Sequence, residues 1–200
     1  MKKDYFEHKA GNYEQDEDRV TNVENIANSI LDNVHFDKGM SIMDFGSGTG
    51  LLLERVAPFV KKITAVDISS SMNKQLNEKR KYLGCELEII EMDLTKTKLE
   101  KKFDGIMSSM TMHHIENIQT MFNDFYEMLN DNGVIAIADL DLEDGSFHTE
   151  DTGVFHFGFD RKIFLNTAVA AGFRNVKITT ASTDHKPQGD YPVFLLTGNK

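Results

Sequence analysis

The residues best suited to chemistry begin at Ser41, in "SIMDFGSGTGLLLERVAPF". Gly46, Gly48 and Gly50 fall within five residues, directly behind the acid Asp44. Glycine costs stability wherever it is not needed, so the run implies a backbone that something approaches closely. Two more acids end apolar runs: Asp67 in "KITAVDIS" and Asp93 in "EIIEMDL". Open parallel sheets bind ligands at the carboxyl ends of their strands, where such residues collect. Two common uses of a glycine loop fail on spacing. The dinucleotide fingerprint G-x-G-x-x-G, started at Gly46, needs glycine where Leu51 stands, and a nucleotide phosphate loop needs a Gly-Lys-Ser/Thr that is absent.

The elements that must position these residues follow from periodicity. "MSIMDF" is a buried strand running into a tight turn. "TGLLLERVAPFV" carries Leu51, Leu52, Val56 and Phe59 at helical spacing, with Thr49 as its expected cap. Ile63 to Asp67 is a second strand. "SSSMNKQLNEKRKYLG" is a helix opened by serine and closed by Gly84. "CELEIIEMD" and "KFDGIMSSMTM" are the third and fourth strands. "NIQTMFNDFYEMLNDNG" is amphipathic through Ile118, Met121, Phe122, Phe125, Met128 and Leu129, with Gly133 after it. "VIAIADLD" is a fifth strand, and "DRKIFLNTAVAAG" a helix capped by Asp160 and ended by Gly172. "NVKITTAST" and "YPVFLLTG" are two last strands, whose short connection "DHKPQGD" requires antiparallel pairing. Strands separated by helices predict a parallel α/β sheet covered on both faces. Residues 1–36 form an N-terminal arm with a helix near "VTNVENIANSILDNV", and residues 37–200 form the main domain. Residues 141–159 are an insertion expected to cover a pocket.

The motifs, taken in order, are identified with one family. "MDFGSGTG", "AVDISSSM", "EMDL" and "FDGIMSSMTMHHI" resemble the successive motifs of class I S-adenosylmethionine-dependent methyltransferases. The likeness runs from Met40 to the C-terminus. It implies a Rossmann-like seven-stranded sheet, order 3-2-1-4-5-7-6, with strand seven antiparallel. It also implies S-adenosyl-L-methionine as the methyl donor and S-adenosyl-L-homocysteine as the product. Backbone around Gly46, Ser47, Gly48 and Gly50 would hold the donor's amino-acid end. Asp44 would orient that loop or hold the ammonium. Asp67 would accept both ribose hydroxyls, since a carboxylate takes two donors at once. Ile68 and Met72 would flank the adenine, Asp93 would accept its amino group, and Leu94 would cover it. Ser109 would lie near the methyl. "YFEHKAGNYE" is similar to an arm segment of small-molecule methyltransferases, with Phe6 as anchor and Tyr13 closing over the donor.

Methyl transfer is an in-line displacement, and an oxygen or nitrogen acceptor can require a base. The histidines on offer are His113, His114, His148 and His156. His113 and His156 are the catalytic candidates, the latter among Phe155, Phe157 and Phe159, which would wall a small apolar acceptor. No metal site is expected, because His148, Glu150 and Asp151 have no second His or Cys at ligand spacing.

Composition narrows the acceptor. A net charge of −10 disfavours nucleic acid. The basic run Lys96 to Lys102 reads as a solvated loop. The N/D-P-P-Y/W motif for planar nitrogens is replaced by "SSMT", Ser108 to Thr111. The single cysteine, Cys85, rules out a multi-thiol site and fits a cytoplasmic location. No run is long and apolar enough for a membrane span, and the N-terminus has no secretory h-region. The expected partner is a small-molecule methyl acceptor with an O, N, S or C nucleophile. The competing readings are a non-catalytic donor-binding module and, with less support, an NAD-dependent oxidoreductase.

Overall fold

The computed structural model describes residues 4–200. The elements are α1 (Glu17–Asn33), β1 (Ser41–Phe45), α2 (Leu51–Val56), β2 (Lys62–Asp67), α3 (Ser70–Lys79), β3 (Glu86–Glu91) and β4 (Phe103–Ser109). They continue with α4 (Ile118–Met128), β5 (Leu129–Leu140), α5 (Arg161–Ala170), β6 (Arg174–Lys186) and β7 (Gly189–Asn199). The seven strands form one sheet in the order β3-β2-β1-β4-β5-β7-β6. β7 runs antiparallel to both of its neighbours, and the other pairs are parallel.

Alternation along the central strands creates two cores. Ile42 on β1, Ala136 and Ala138 on β5, and Val193 and Leu195 on β7 face one side, where α1, α2 and α3 bring Ile26, Ile30, Leu53, Val56 and Leu76. Met43, Ile135, Ile137, Phe194 and Leu196 face the other, where α4 and α5 bring Phe122, Phe125 and Phe164. The Phe122 ring meets Phe125, Phe164 and Phe173 edge-on. The segment before β1 belongs to this packing, since α1 lies against α2 and β6.

Local sequence sets most helix starts. Ser69 accepts the Met72 N–H at 3.2 Å and Asp160 accepts the Ile163 N–H at 2.9 Å, each meeting a donor the first turn cannot satisfy. Asp160→Ala should cost about 1 kcal/mol. That lowers the melting temperature by about 2–4 °C for a domain of this size, and thermal unfolding would read it.

Four local expectations need correction. Thr49 does not cap α2: the cap residue is Gly50, left-handed at φ +89, and Thr49 Oγ1 is buried without a partner. Gly84 is not a left-handed helix stop, because the helix has already tightened into the 3-10 turn Arg80–Tyr82. β5 starts at Leu129 rather than Val134, absorbing Gly133 and a left-handed Asn132 at φ +62. β6 and β7 reach inward until only Pro187 and Gln188 separate them, so "DHKPQGD" is mostly strand. Among the described residues no helix is long and apolar enough to cross a membrane.

Candidate active site

After β3 the chain crosses back to lay β4 on the other side of β1, so the strand order reverses between β1 and β4. At a reversal the loops leaving adjacent strands diverge and open a crevice. A cavity of about 500 Å³ opens at this carboxyl end, beside Asp44, Gly46, Gly48, Ser109 and Met110. Its other walls are the arm (Tyr13), α1 (Arg19, Asn22), the turn Met112–His114, the insertion (Phe147, His148) and the β6–β7 hairpin (Asp184, Lys186). Met110 is left-handed at φ +56, a strained backbone of the kind that collects at functional sites.

The three glycines have separate reasons. A Cβ at Gly46 would lie 2.7 Å from Thr111 Cβ, and one at Gly50 would lie 2.5 Å from Leu76 Cδ1. Those two are glycine because protein packs against them. A Cβ at Gly48 would meet nothing within 4 Å. Of the three, only Gly48 has open space where a side chain would stand; Gly46 also borders the cavity with its backbone, and Gly50 does not.

Of the acids around Gly48, Asp44 is buried and Asp67 half-buried. Asp44 is 1% exposed, its Oδ2 has no partner, and burial with Asp67 nearby raises its pKa to about 8. Asp67 Oδ2 accepts the Gly48 N–H at 2.8 Å and Oδ1 accepts the Ser69 N–H at 2.8 Å. Burial still raises its pKa, against those hydrogen bonds. On the far side of Asp67, Asp4 of the arm accepts the Ser69 and Ser71 hydroxyls at 2.9 and 2.8 Å.

Nine buried side-chain polar atoms lack a hydrogen-bond partner among the described residues, and seven belong to residues lining this cavity. They are on Asn22, Asp44, Ser47, Thr49, Ser109, His148 and Asp184. Asp184 Oδ1 has only an ion pair, with Lys186 Nζ at 3.1 Å. An unmet buried polar atom costs about 1–3 kcal/mol, so such a concentration marks a place built for a polar ligand.

Four expected residues lie together with Asp44 and Gly48 on the cavity wall: Tyr13, Gly46, Ser47 and Ser109. The Tyr13 ring lies 4.2 Å under the Arg19 guanidinium. His113 lines the cavity as well, its Nδ1 2.7 Å from Asp139 Oδ1. Gly50, Asp67, Ile68, Met72, Asp93 and Leu94 do not line it. Ile68 is 54% exposed, Met72 and Leu94 are buried in the protein, and Asp93 Oδ1 accepts the Thr95 N–H and hydroxyl.

His156 is a correction. Its Nε2 lies 2.9 Å from the Ile115 carbonyl, its ring stacks near Phe159, and it is absent from the cavity wall. Phe155 and Phe157 point to solvent and Phe159 into the core. From the insertion, Phe147, His148, Thr149, Glu150 and Thr152 line the cavity, while its far end is bridged to the sheet through Asp141 and Phe159. The lysines of the basic run are also engaged rather than merely solvated: Lys98 pairs with Asp124 and Glu127, and Lys101 with Glu88.

Periodicity offered no hint of Asn22, Arg19, Asp184, Lys186 or Asp139 as site residues. Asn22 Nδ2 meets Asp184 Oδ2 at 3.4 Å across 162 residues of chain. The one available signal was polar residues inside otherwise apolar stretches, as at Asp139 in "VIAIADLD".

Residues 42–133 match the family model described as a methyltransferase domain. An uncharacterized methyltransferase of Schizosaccharomyces pombe is 29% identical over 92% of this chain and 68% of its own length. Among solved structures, the DhpI–SAH complex superposes with TM-score 0.76 at 15% identity, covering 97% of this chain and 92% of that one. The [4+2]-cyclase SpnF superposes with TM-score 0.73 at 15% identity, covering 93% and 81%. The chain spans only about half the length of some proteins it matches.

Proposed function

From the premise that residues 42–133 are a methyltransferase domain on the fold of class I S-adenosylmethionine-dependent methyltransferases, we propose that this chain transfers a methyl group from S-adenosylmethionine to a small molecule. One observation carries the reading: two interacting acids, the buried Asp44 and the half-buried Asp67, stand by Gly48, the glycine of the loop with open space in place of a side chain. A nearby anion would raise such pKa values further, whereas a cation lets the carboxyls ionise and pairs with them. The donor carries an ammonium and a sulfonium, and when bound it supplies an electrophilic methyl.

Asp44 Oδ2, buried and unpartnered, fits the ammonium. The backbone of Ser47 and Gly48 fits the amino-acid end. Asp67 keeps lone pairs for the ribose hydroxyls after accepting one N–H on each oxygen. Ile68, Met72, Asp93 and Leu94 do not line the cavity, and their proposed adenine contacts rest on the motif resemblance. Ser109, which lines the cavity with an unpartnered buried hydroxyl, would sit near the transferred methyl. The acceptor side is polar, with Asn22, Asp184 and the imidazoles of His114 and His148. Burial pushes both of these imidazoles down to about 4, so they are neutral at pH 7. The cyclase likeness favours a second reading, a donor-fold protein that does not transfer methyl.

Thermal unfolding with S-adenosylmethionine, S-adenosylhomocysteine and NAD tests the proposal. A ligand at a hundred times its Kd stabilises by about 2.7 kcal/mol, or roughly 5–10 °C here. The two adenosyl ligands should give that shift and NAD none, and Asp67→Ala should erase it. Asp67→Ala should also lower the ligand-free melting temperature, because Gly48 and Ser69 lose their acceptor. A shift with NAD alone removes the reading. Donor binding with no methyl transfer to any metabolite of a cell extract supports the second one.

A further inference from the structure

We propose that His113 is the proton acceptor of this site, that Asp139 positions it, and that the methyl acceptor is a hydroxyl or amine. This rests on the methyltransferase reading above.

Asp139 on β5 is fully buried. Its Oδ1 meets His113 Nδ1 at 2.7 Å and the Leu140 N–H at 2.7 Å, and its Oδ2 accepts the His113 backbone N–H at 3.2 Å. Burial alone would protonate this acid, but His113 and these hydrogen bonds hold it below the ordinary carboxylate value. An ionised carboxylate only accepts, so His113 Nδ1 donates to it, an arrangement that in the neutral imidazole leaves the lone pair on Nε2. A second element fixes the main chain of this residue: the Phe155 and His156 N–H groups of the insertion donate to the His113 carbonyl at 2.9 and 3.2 Å. The imidazole is therefore held by Asp139 of β5 and its backbone by the insertion, and the residue lines the cavity. Its ring neighbours are His114, 4.3 Å away, and His148, 5.1 Å away. Both are neutral at pH 7 for want of solvation, so neither opposes a proton arriving on His113 as a standing charge would. His148 Nε2 is buried without a partner and offers a contact to the same acceptor.

A carboxylate or thiolate acceptor arrives without a proton and has no use for such a pair. A hydroxyl or amine does. Its lone pair bonds the methyl carbon as the carbon–sulfur bond breaks, the bonding electrons returning to sulfur. Its proton passes to His113 Nε2, giving an imidazolium beside the Asp139 carboxylate, and then to solvent.

The test uses protein labelled with ¹⁵N in histidine and bound to S-adenosylhomocysteine. Phenol, ethanolamine, acetate and mercaptoethanol are added separately at tens of millimolar. The expected result is a His113 with Nδ1 protonated, whose Nε2 resonance moves with phenol or ethanolamine and not with acetate. The probe that moves it should take label from methyl-tritiated S-adenosylmethionine. Asp139→Asn should shift the ring toward the Nε2–H tautomer and slow that transfer about 10²–10⁴-fold, with S-adenosylhomocysteine affinity kept. The wild-type spectra decide the matter even where the variant folds poorly. A protonated Nε2 in the wild-type protein, no probe moving it, or label on acetate or the thiol overturns the assignment. A rate unaffected by Asp139→Asn overturns it too. Failure to bind S-adenosylhomocysteine at all removes the methyltransferase reading, and this inference with it.

Discussion

Replacing Asp44 with asparagine will make the protein more stable at pH 8 and ruin its affinity for the donor. The folded carboxyl has a pKa of about 8 because it is buried, with Asp67 nearby, while its ordinary value is 3.8. Between pH 4 and 8 the unfolded chain has released this proton and the folded chain keeps it. Unfolding therefore releases a proton, so the stability contributed by this group is full below pH 4 and declines as pH rises toward 8. Every tenfold difference in proton affinity between the folded and unfolded chain is worth about 1.4 kcal/mol. Asparagine mimics the neutral carboxyl and never ionises. Wild type and Asp44→Asn should thus agree in stability at about pH 4 and below, and at pH 8 the variant should gain on the order of 2–5 kcal/mol. Denaturant titrations at the two pH values would read it, and parallel curves would mean that burial does not hold this carboxyl neutral. Donor binding should move the other way. Losing a hydrogen bond to a charged partner costs about 1.5–3 kcal/mol, a drop of about 10- to 100-fold in affinity. Calorimetry in buffers of different ionisation heat adds a second reading. At pH 7 an ammonium settling against Asp44 should expel its proton in the wild type and none in the variant.

The largest purely structural effect is expected at Gly158. Its φ is +70, and an added Cβ would stand 2.6 Å from the Asp141 carbonyl carbon and 3.0 Å from Leu142 N. Those neighbours are backbone and cannot rotate away. Left-handed geometry costs a non-glycine residue about 1–2 kcal/mol, and overpacking typically adds about 1–3 kcal/mol. Gly158→Ala should therefore lose about 2–5 kcal/mol by urea unfolding. Gly48→Ala is the comparison, since its φ is +53 but its Cβ meets nothing; it should lose only the conformational part. Equal losses would mean that the Asp141 strand end yields easily. That end is pinned by Arg161, whose Nε and Nη2 meet the Asp141 carboxylate at 2.6 and 2.8 Å. Displacing it would also move the insertion that carries Phe147 and His148.

What the chain disclosed in advance was local. β1 was legible because Ile42 and Met43 sit in an unbroken apolar run before an acid and a glycine. Ser69 and Asp160 were legible as caps because a short polar side chain ahead of a helical stripe has few other uses there. The order of the seven strands came from the likeness of four motifs, which no periodicity could supply. Thr49 failed because a left-handed Gly50 turned the chain before its hydroxyl could reach the first turn. The start of β5 failed because Asn132 and Gly133 resemble a turn and are instead an irregularity within a pairing with β4. The glycine-loop side of the cavity was readable as residues at a strand end. The opposite side joins α1 to β6 and the Met112–His114 turn to β5. Such pairs meet only after the sheet has closed, and neither partner's local sequence mentions the other. His156 and His148 illustrate the limit: eight residues apart in one insertion, one packs beneath it and the other faces the cavity.

The arm is fastened by Asp4 to the hydroxyls at the start of α3, by Glu14 to Lys79 at the end of that helix, and by Lys9 to Glu150 of the insertion at 2.7 Å. It therefore runs as a strap from beside Asp67 to the roof over the histidines. Lys9 and Glu150 are both wet, and such pairs weaken as ions are added. Added salt should therefore loosen the insertion end of the strap before the Asp4 end, which is held by serine hydroxyls.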